Sequence, residues 1–256
     1  MGKEKIGQRI KEYYENRTRF YLPRRTYTIL RIDGKAFHTY TKGLKRPFDN
    51  DFIEDMDETA KYLCKNIMGV KFAYVQSDEI SLLLTDFETL TTEAWFDGNI
   101  QKMVSVSASM STSKFNQLRL LRKSLTVSDD GIVDLISMIR EQKLAEFDSR
   151  VFTIPSEEEV INYFIWRMQD CTRNSISSVA QSLYSAKELH GKNQSDMQEM
   201  CFQKGINWND LPVKQKRGRL IVKQEVEVNN AIRNKWFSTE PEIFSQNKES
   251  LKNLIR

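Results

Sequence analysis

Residues Ile29 to Phe52 read ILRIDGKAFHTYTKGLKRPFDNDF, and the change of character at Asp33 decides how the rest of the chain is read. From Thr26 to Ile32 the run is dense in β-branched residues and predicts a strand that stops at Asp33-Gly34. Lys35, His38, Lys42, Lys45 and Arg46 follow within fourteen residues of Asp33. An acid trailed by so many bases is poor material for a core. It suits a place where a metal ion and a phosphate chain lie side by side. If a helix or turn begins at Lys35, the backbone N–H groups of Ala36, Phe37 and His38 are left unpaired and can cradle phosphate. Lys35, Lys42, Lys45 and Arg46 can then neutralise it. Taken singly, Asp33-Gly34 is an ordinary turn and the lysines a solvated loop; the surrounding elements must decide.

Working outward, residues 4–17 predict a charged amphipathic helix rather than a leader peptide. Phe52, Ile53, Met56, Ala60, Leu63 and Ile67 recur at spacings of three and four, predicting a helix over 49–68. KFAYVQ and ISLLLTDF are strand-like and separated only by Ser77-Asp78-Glu79, a hairpin. A second helix is expected from Thr92 as cap, and a further strand over Ser149–Pro155. Strand–helix–strand–strand–helix–strand is the ferredoxin-like split βαβ order of an α+β fold, with helices over one sheet face and the other face free for a ligand or partner. The second half reads as mostly helical. Ser156 and Glu159 stand at capping-box spacing ahead of one helix through VINYFIWRMQDC, with another through SISSVAQSLYSAKEL. A short helix over SDMQEMCFQ and a last strand over GRLIVKQEVEV follow. The chain divides at 1–155 and 156–256, two halves expected to pack as one body.

In that topology the first strand and the hairpin are central neighbours, so Asp33, Asp78 and Glu79 can meet in space. Carboxylates brought together repel unless a cation lies between them. Oxygen-only donors favour magnesium, usually completed by substrate phosphates, and two such ions can clamp an in-line phosphoryl displacement. Asp33, Asp78 and Glu79 are therefore the candidate catalytic acids around such a cation.

The bulk numbers are compatible. The 256 residues can bury a sizeable core, and a net charge of +4 permits nucleic-acid binding without demanding it. Cys64, Cys171 and Cys201 fall outside any CxxC pattern, which argues against a disulfide framework or structural zinc and for a reducing, cytoplasmic setting. No apolar run approaches the ~18 residues of a membrane span.

Four segments, RIDGKAFHTY, VQSDEISLLL, FDSRVFTIPS and WRMQDCTRNS, fall in the order and spacing of the tRNA(His) guanylyltransferase family, which the chain resembles from about Tyr21 to Gln224. The resemblance implies a fold like the palm of polymerases and nucleotide cyclases, followed by a helical half. It implies nucleotide addition to the 5′ end of tRNA, with Mg2+, ATP to activate a 5′-monophosphate, and GTP or another triphosphate as the nucleotide added. Under it Asp33 and Asp78 match the two-metal carboxylates, the Gly34 carbonyl a further ligand, and Glu79 a third acid. Ala36, Phe37 and His38 match the triphosphate-holding backbone, with Ser77 beside it. Arg46 stands where the family has a lysine, and Lys102 at a phosphate contact. Arg150 matches an arginine that handles the 5′ end; Arg173, Asn174 and Lys192 are further candidate tRNA contacts. Where eukaryotic members carry HINNLYN, this chain has Thr172-Arg173-Asn174-Ser175-Ile176-Ser177-Ser178, keeping only the asparagine in register. That departure is similar to the guanylyltransferase-like branch, which rebuilds truncated tRNA 5′ ends on a template. Asn99 stands where an arginine is expected.

Two other functions stay open on the residues: a palm-type nucleotide cyclase, whose glycine-rich signature is absent, and a non-catalytic tRNA-binding protein. Trp95, Phe96, Tyr163, Phe164 and Trp166 read as core. Arg119, Arg122 and Lys123 form a basic patch. The apolar tail from Lys235 onward suggests subunit packing, as in the tetramers of the family it resembles.

Overall fold

The computed structural model describes residues 5–124, 140, 142–228 and 231–256. Its strands are β1 (Tyr27–Gly34), β2 (Val70–Gln76), β3 (Glu79–Leu84), β4 (Phe147–Ile154), β5 (Arg219–Val228) and β6 (Ala231–Thr239). They form one antiparallel sheet in the order β4-β1-β3-β2-β5-β6. The first four strands in the order β4-β1-β3-β2 are the expected split βαβ arrangement. Helices in chain order are α1 (Ile6–Tyr13), α2 (Phe37–Tyr40), α3 (Asn50–Asn66), α4 (Ile100–Ser124), α5 (Glu157–Leu183), α6 (Ala186–Leu189), α7 (Gln194–Gln203), α8 (Val213–Lys216) and α9 (Lys248–Ile255).

Strand side chains alternate between faces, and the two faces of this sheet carry two cores. Leu30 and Ile32 of β1 with Ile80, Leu82 and Leu84 of β3 meet α3 through Phe52, Met56, Ala60 and Leu63, and α4 through Met103 and Phe115. Ile29 of β1, Phe72 and Tyr74 of β2 and Leu83 of β3 face the other way. They pack on Val160, Ile161, Phe164 and Met168 of α5 and on Phe244, Leu251 and Ile255. The second face is therefore covered, not free: α5 carries its own apolar stripe at three–four spacing and buries it there. The tail is likewise core, since Phe244 and Leu251 are fully buried.

Four other expectations are corrected. The 4–17 helix ends at Tyr13 and continues as a 3-10 turn over Glu15–Thr18, while residue 4 lies outside the described residues. α4 begins at Ile100, not near Thr92, because Phe96 and Asp97 adopt left-handed backbone (φ 51° and 53°) that no helix can pass through; Asn99 Oδ1 accepts from the Lys102 N–H. The two expected helices after Pro155 are one helix of 27 residues, with Ser156 accepting from the Glu159 N–H. GRLIVKQEVEV is not the last strand: β6 follows it as a hairpin partner.

Buried ion pairs lock these layers. Asp55 of α3 accepts from Arg119 at 3.0 Å and Arg122 at 2.7 Å on α4, which is how the predicted basic patch is used. Asp57 accepts from Arg219 of β5 at 2.7 Å and from Ser238 of β6 at 2.7 Å.

Candidate active site

β1 ends where the charges begin. Ile32 faces α3 and α4, so by alternation Arg31 and Asp33 face the α5 side. Gly34 has no room for a side chain: a Cβ there would lie 2.2 Å from the ring of Phe37. That ring is buried among Tyr40, Phe52, Phe115 and Phe147, so the Phe37 side chain is core and only its backbone can serve a ligand. Ala36 takes a left-handed conformation (φ 54°) and opens the single turn α2. Among the described residues, the N–H groups of Ala36, Phe37 and His38 donate to no protein acceptor.

The hairpin turn brings the second acid in. β1 pairs with β3 at Ile32↔Ile80; one and two steps further, that register sets Asp33 opposite Glu79 and Gly34 opposite Asp78. On the other side Lys35 donates to the carbonyl of Glu146 at 2.8 Å, so Gly34↔Phe147 is a non-hydrogen-bonded pair of the β1–β4 ladder. The peptide groups of Gly34 accordingly face away from β4, toward the hairpin. Two carboxylates and a carbonyl thus come to one strand end.

Their electrostatics agree. Burial pushes the Asp78 carboxyl up to about 6, with the Asp33 and Glu79 charges adding to it and its backbone and Ser77 hydrogen bonds opposing. Asp33 is also raised, by burial first and then by Glu79 and Asp148, against Arg150 and Arg31. Acids held above their usual range by burial, with neighbouring negative charge adding to it, are an oxygen-donor set that a divalent cation would relieve.

Glu79 does not join that set. Its Oε1 accepts from Arg167 Nε at 2.8 Å and its Oε2 from Arg167 Nη2 at 2.7 Å, on α5; Ser81 and Gln76 also reach Oε1. Glu79 shares the α5 face with Ser81 and Leu83, which puts it beneath Arg167. Among the described residues no three His, Cys, Asp or Glu side chains converge as a metal cluster.

Beside Ser77 a cleft of about 350 Å³ opens between the α2–α3 loop and α5, lined by His38, Lys45, Arg46, Gln76, Asn174 and Ser178 among others. Asp49 shapes its rim, accepting from the Lys45 N–H at 3.1 Å and the Phe52 N–H at 2.8 Å. Ser77, at φ 45°, turns into it.

The remaining candidates scatter. Arg150 Nη2 stands 3.6 Å from Asp33 and 3.2 Å from Asp148, at the site's β4 edge. Lys35 pairs with Glu146 at 2.5 Å. Arg173 is exposed and bound to Asp170 at 2.8 Å, and Lys192 lies exposed in the α6–α7 turn. Lys102 is not brought to the acids. It sits in the first turn of α4, across the sheet from the face that carries Asp33, with Nζ over the Phe96 ring at 5.6 Å. Arg167 escaped sequence reading, yet a signal was there: it falls in the stripe Val160, Tyr163, Phe164, Arg167, Met168, Cys171, and an arginine on a buried stripe demands a carboxylate.

Comparison with known proteins gives the arrangement a context. The sequence profile of the family described as tRNAHis guanylyltransferase matches residues 7–155, spanning both β1 and the acidic turn. A tRNA(His) guanylyltransferase of Debaryomyces hansenii is 30% identical over 221 residues, 81% of this chain and 77% of that protein. The structure of a bacterial tRNA(His) guanylyltransferase-like protein in complex with ATP superimposes with a TM-score of 0.81 at 46% identity, covering 98% of each chain. A complex with GTP gives 0.78 at 47% identity, again over 98% of each. Strand end, acidic turn and cleft all lie within these matches, and the chain belongs to the tRNA(His) guanylyltransferase family of nucleotidyltransferases.

Proposed function

We propose that this protein adds nucleotides to the 5′ end of tRNA, growing the chain in the 3′–5′ direction, with Mg2+ held by Asp33, Asp78 and the Gly34 carbonyl. The observation that carries this is the meeting of those oxygens at one strand end, beside three unpaired N–H groups and a cleft. The bacterial structures described as complexes with ATP and GTP support nucleotide triphosphates as its substrates.

The chemistry has two steps. A 5′-monophosphate oxygen of tRNA displaces pyrophosphate from the α-phosphorus of ATP, leaving an adenylylated end. The 3′-OH of the incoming triphosphate then attacks the tRNA 5′-phosphorus; a new P–O bond forms, AMP leaves, and the hydroxyl proton passes to solvent. A 5′-triphosphate end needs no activation and releases pyrophosphate. Magnesium, when bound, supplies charge for the triphosphate and acidifies the attacking hydroxyl. The Ala36–His38 backbone holds phosphate oxygens, Lys45 and Arg46 offset their charge, and Ser77 and Asn174 line the base or ribose. Arg150, 3.6 Å from Asp33 at the β4 edge of the site, is placed to take the tRNA 5′-phosphate. With the base chosen by pairing to the opposite strand, the same site performs repair of truncated 5′ ends.

Addition of each nucleotide to tRNAs lacking their first base, carrying 5′-mono- or 5′-triphosphate ends, tests this. Products longer by the templated nucleotides are expected, with ATP required for the monophosphate alone. Asp33→Ala and Asp78→Ala should lower the rate by about 10³-fold or more, as expected when electrostatic stabilisation of the transition state is lost. Full activity in either variant contradicts the assignment.

A further inference from the structure

Glu79 is an acid at the site whose two oxygens are both held by Arg167. The pair is deeply buried, with Glu79 7% and Arg167 6% exposed. The same guanidinium reaches further: Nη2 also donates to Asp170 Oδ2 at 2.8 Å, and its plane stacks on Trp166 at 4.3 Å. Asp170 in turn accepts from Arg173 at 2.8 Å and Asn174 at 3.4 Å, and Asn174 lines the cleft. On the sheet side, Ser81 bridges Glu79 Oε1 and the Tyr163 hydroxyl, at 3.2 and 2.8 Å. A continuous polar chain therefore runs from the residue after Asp78, through Arg167, to the α5 wall of the cleft.

Fastening α5 to the sheet does not require such a chain. Apolar residues of similar volume hold a helix as well as a buried ion pair does, without its desolvation cost. What the forked pair adds is orientation, because a guanidinium bound at both oxygens of a carboxylate fixes distance and plane together.

We propose that Arg167 is a positioning residue of the nucleotidyl-transfer site. It turns Glu79 out of the metal donor set, fixes the Ser77–Asp78 turn through Glu79, and sets the Asn174 edge of the cleft through Asp170. Glu79 then acts on the reaction through Arg167 and not as a ligand. This rests on the reading of Asp33 and Asp78 as cation ligands given above.

The test compares full-length Glu79→Gln, Arg167→Lys, Arg167→Met and the double variant Arg167→Met/Glu79→Gln with Asp78→Asn. Each is followed by the Mg2+ midpoint of nucleotide addition, by kcat and KM for the triphosphate, and by melting temperature. Glu79→Gln and Arg167→Lys are expected to lose about tenfold or more in kcat, with a Mg2+ midpoint within about threefold of the parent. Asp78→Asn is expected to move that midpoint by about tenfold or more, as loss of a direct ligand should. Arg167→Met strands the Glu79 charge, and adding Glu79→Gln should restore much of the lost melting temperature. If Arg167→Met does not fold, Arg167→Lys still decides, since it keeps the charge and removes only the fork.

A Mg2+ midpoint that moves in Glu79→Gln as it does in Asp78→Asn makes Glu79 a ligand and overturns the proposal, leaving the metal reading intact. Lower melting temperatures with unchanged kcat and KM reduce the pair to a structural tie, which also overturns it. An unmoved midpoint in Asp78→Asn removes the metal reading, and the proposal with it.

Discussion

Asp78 shows most plainly what the site costs. Its folded carboxyl titrates near 6 against a usual value of 3.8, so between those pH values the native state holds the extra proton. Stability therefore falls as pH rises through that window, and the penalty is full above it. Two units correspond to roughly 3 kcal/mol as an upper bound. Without Mg2+, Asp78→Asn should melt higher than the parent at pH 7.5 and lose its advantage near pH 4; thermal unfolding against pH measures both. Mg2+-dependent triphosphate binding should weaken as pH drops below about 6, because the ligand must be ionised. Gly34 is the second informative residue. A methyl placed 2.2 Å from the Phe37 ring must displace that ring from its aromatic cluster. Gly34→Ala should cost about 1–3 kcal/mol and disturb the Ala36–His38 backbone, read as a lower melting temperature with a higher KM for triphosphate.

At the scale of elements, what could be read from sequence was what composition and periodicity control. β1 announced itself by its β-branched run, the β2–β3 hairpin by two strand-like apolar runs split at Ser77-Asp78-Glu79, and α3 by its three–four period, and they carry Asp33, Asp78 and the cleft rim. The start of α4 did not, because the left-handed Phe96 and Asp97 are set by tertiary packing of the loop. α5 looked like two helices because Thr172–Ser178 is polar for a helix interior; it continues because Ile176, Val179 and Ala180 bury against Cys201 and Trp208. β6 was missed because its first five residues are exposed and give no alternation to read. The α3–α4 tie is testable on its own. Asp55→Ala leaves Arg119 and the partly exposed Arg122 without their shared carboxylate, and should cost about 2–3 kcal/mol, discounted from the buried-pair value for that exposure. Unfolding by denaturant would show it as a lower midpoint with unchanged slope.

Over the whole molecule, the sheet collects what the chain disperses. Asp33 and Asp78 are 45 positions apart, and Arg167 lies 88 positions beyond Glu79, yet register and face place them within one strand end. Topological order gave the first pairing, since in a split βαβ sheet β1 and the hairpin must be neighbours. The second could not be read from order, because it depends on which helix covers the other face, and long-range packing decides that. Lys102 shows the same limit from the other direction: its place in the first turn of α4, with Nζ over the Phe96 ring, follows from where that helix starts and not from its motif.

The most direct measurement is anomalous diffraction from crystals grown with Mn2+ in place of Mg2+ and a non-hydrolysable triphosphate. A peak coordinated by Asp33, Asp78 and the Gly34 carbonyl, with Glu79 still paired to Arg167, is the predicted result. A metal bound elsewhere, or none at that strand end while triphosphate is present, would contradict it.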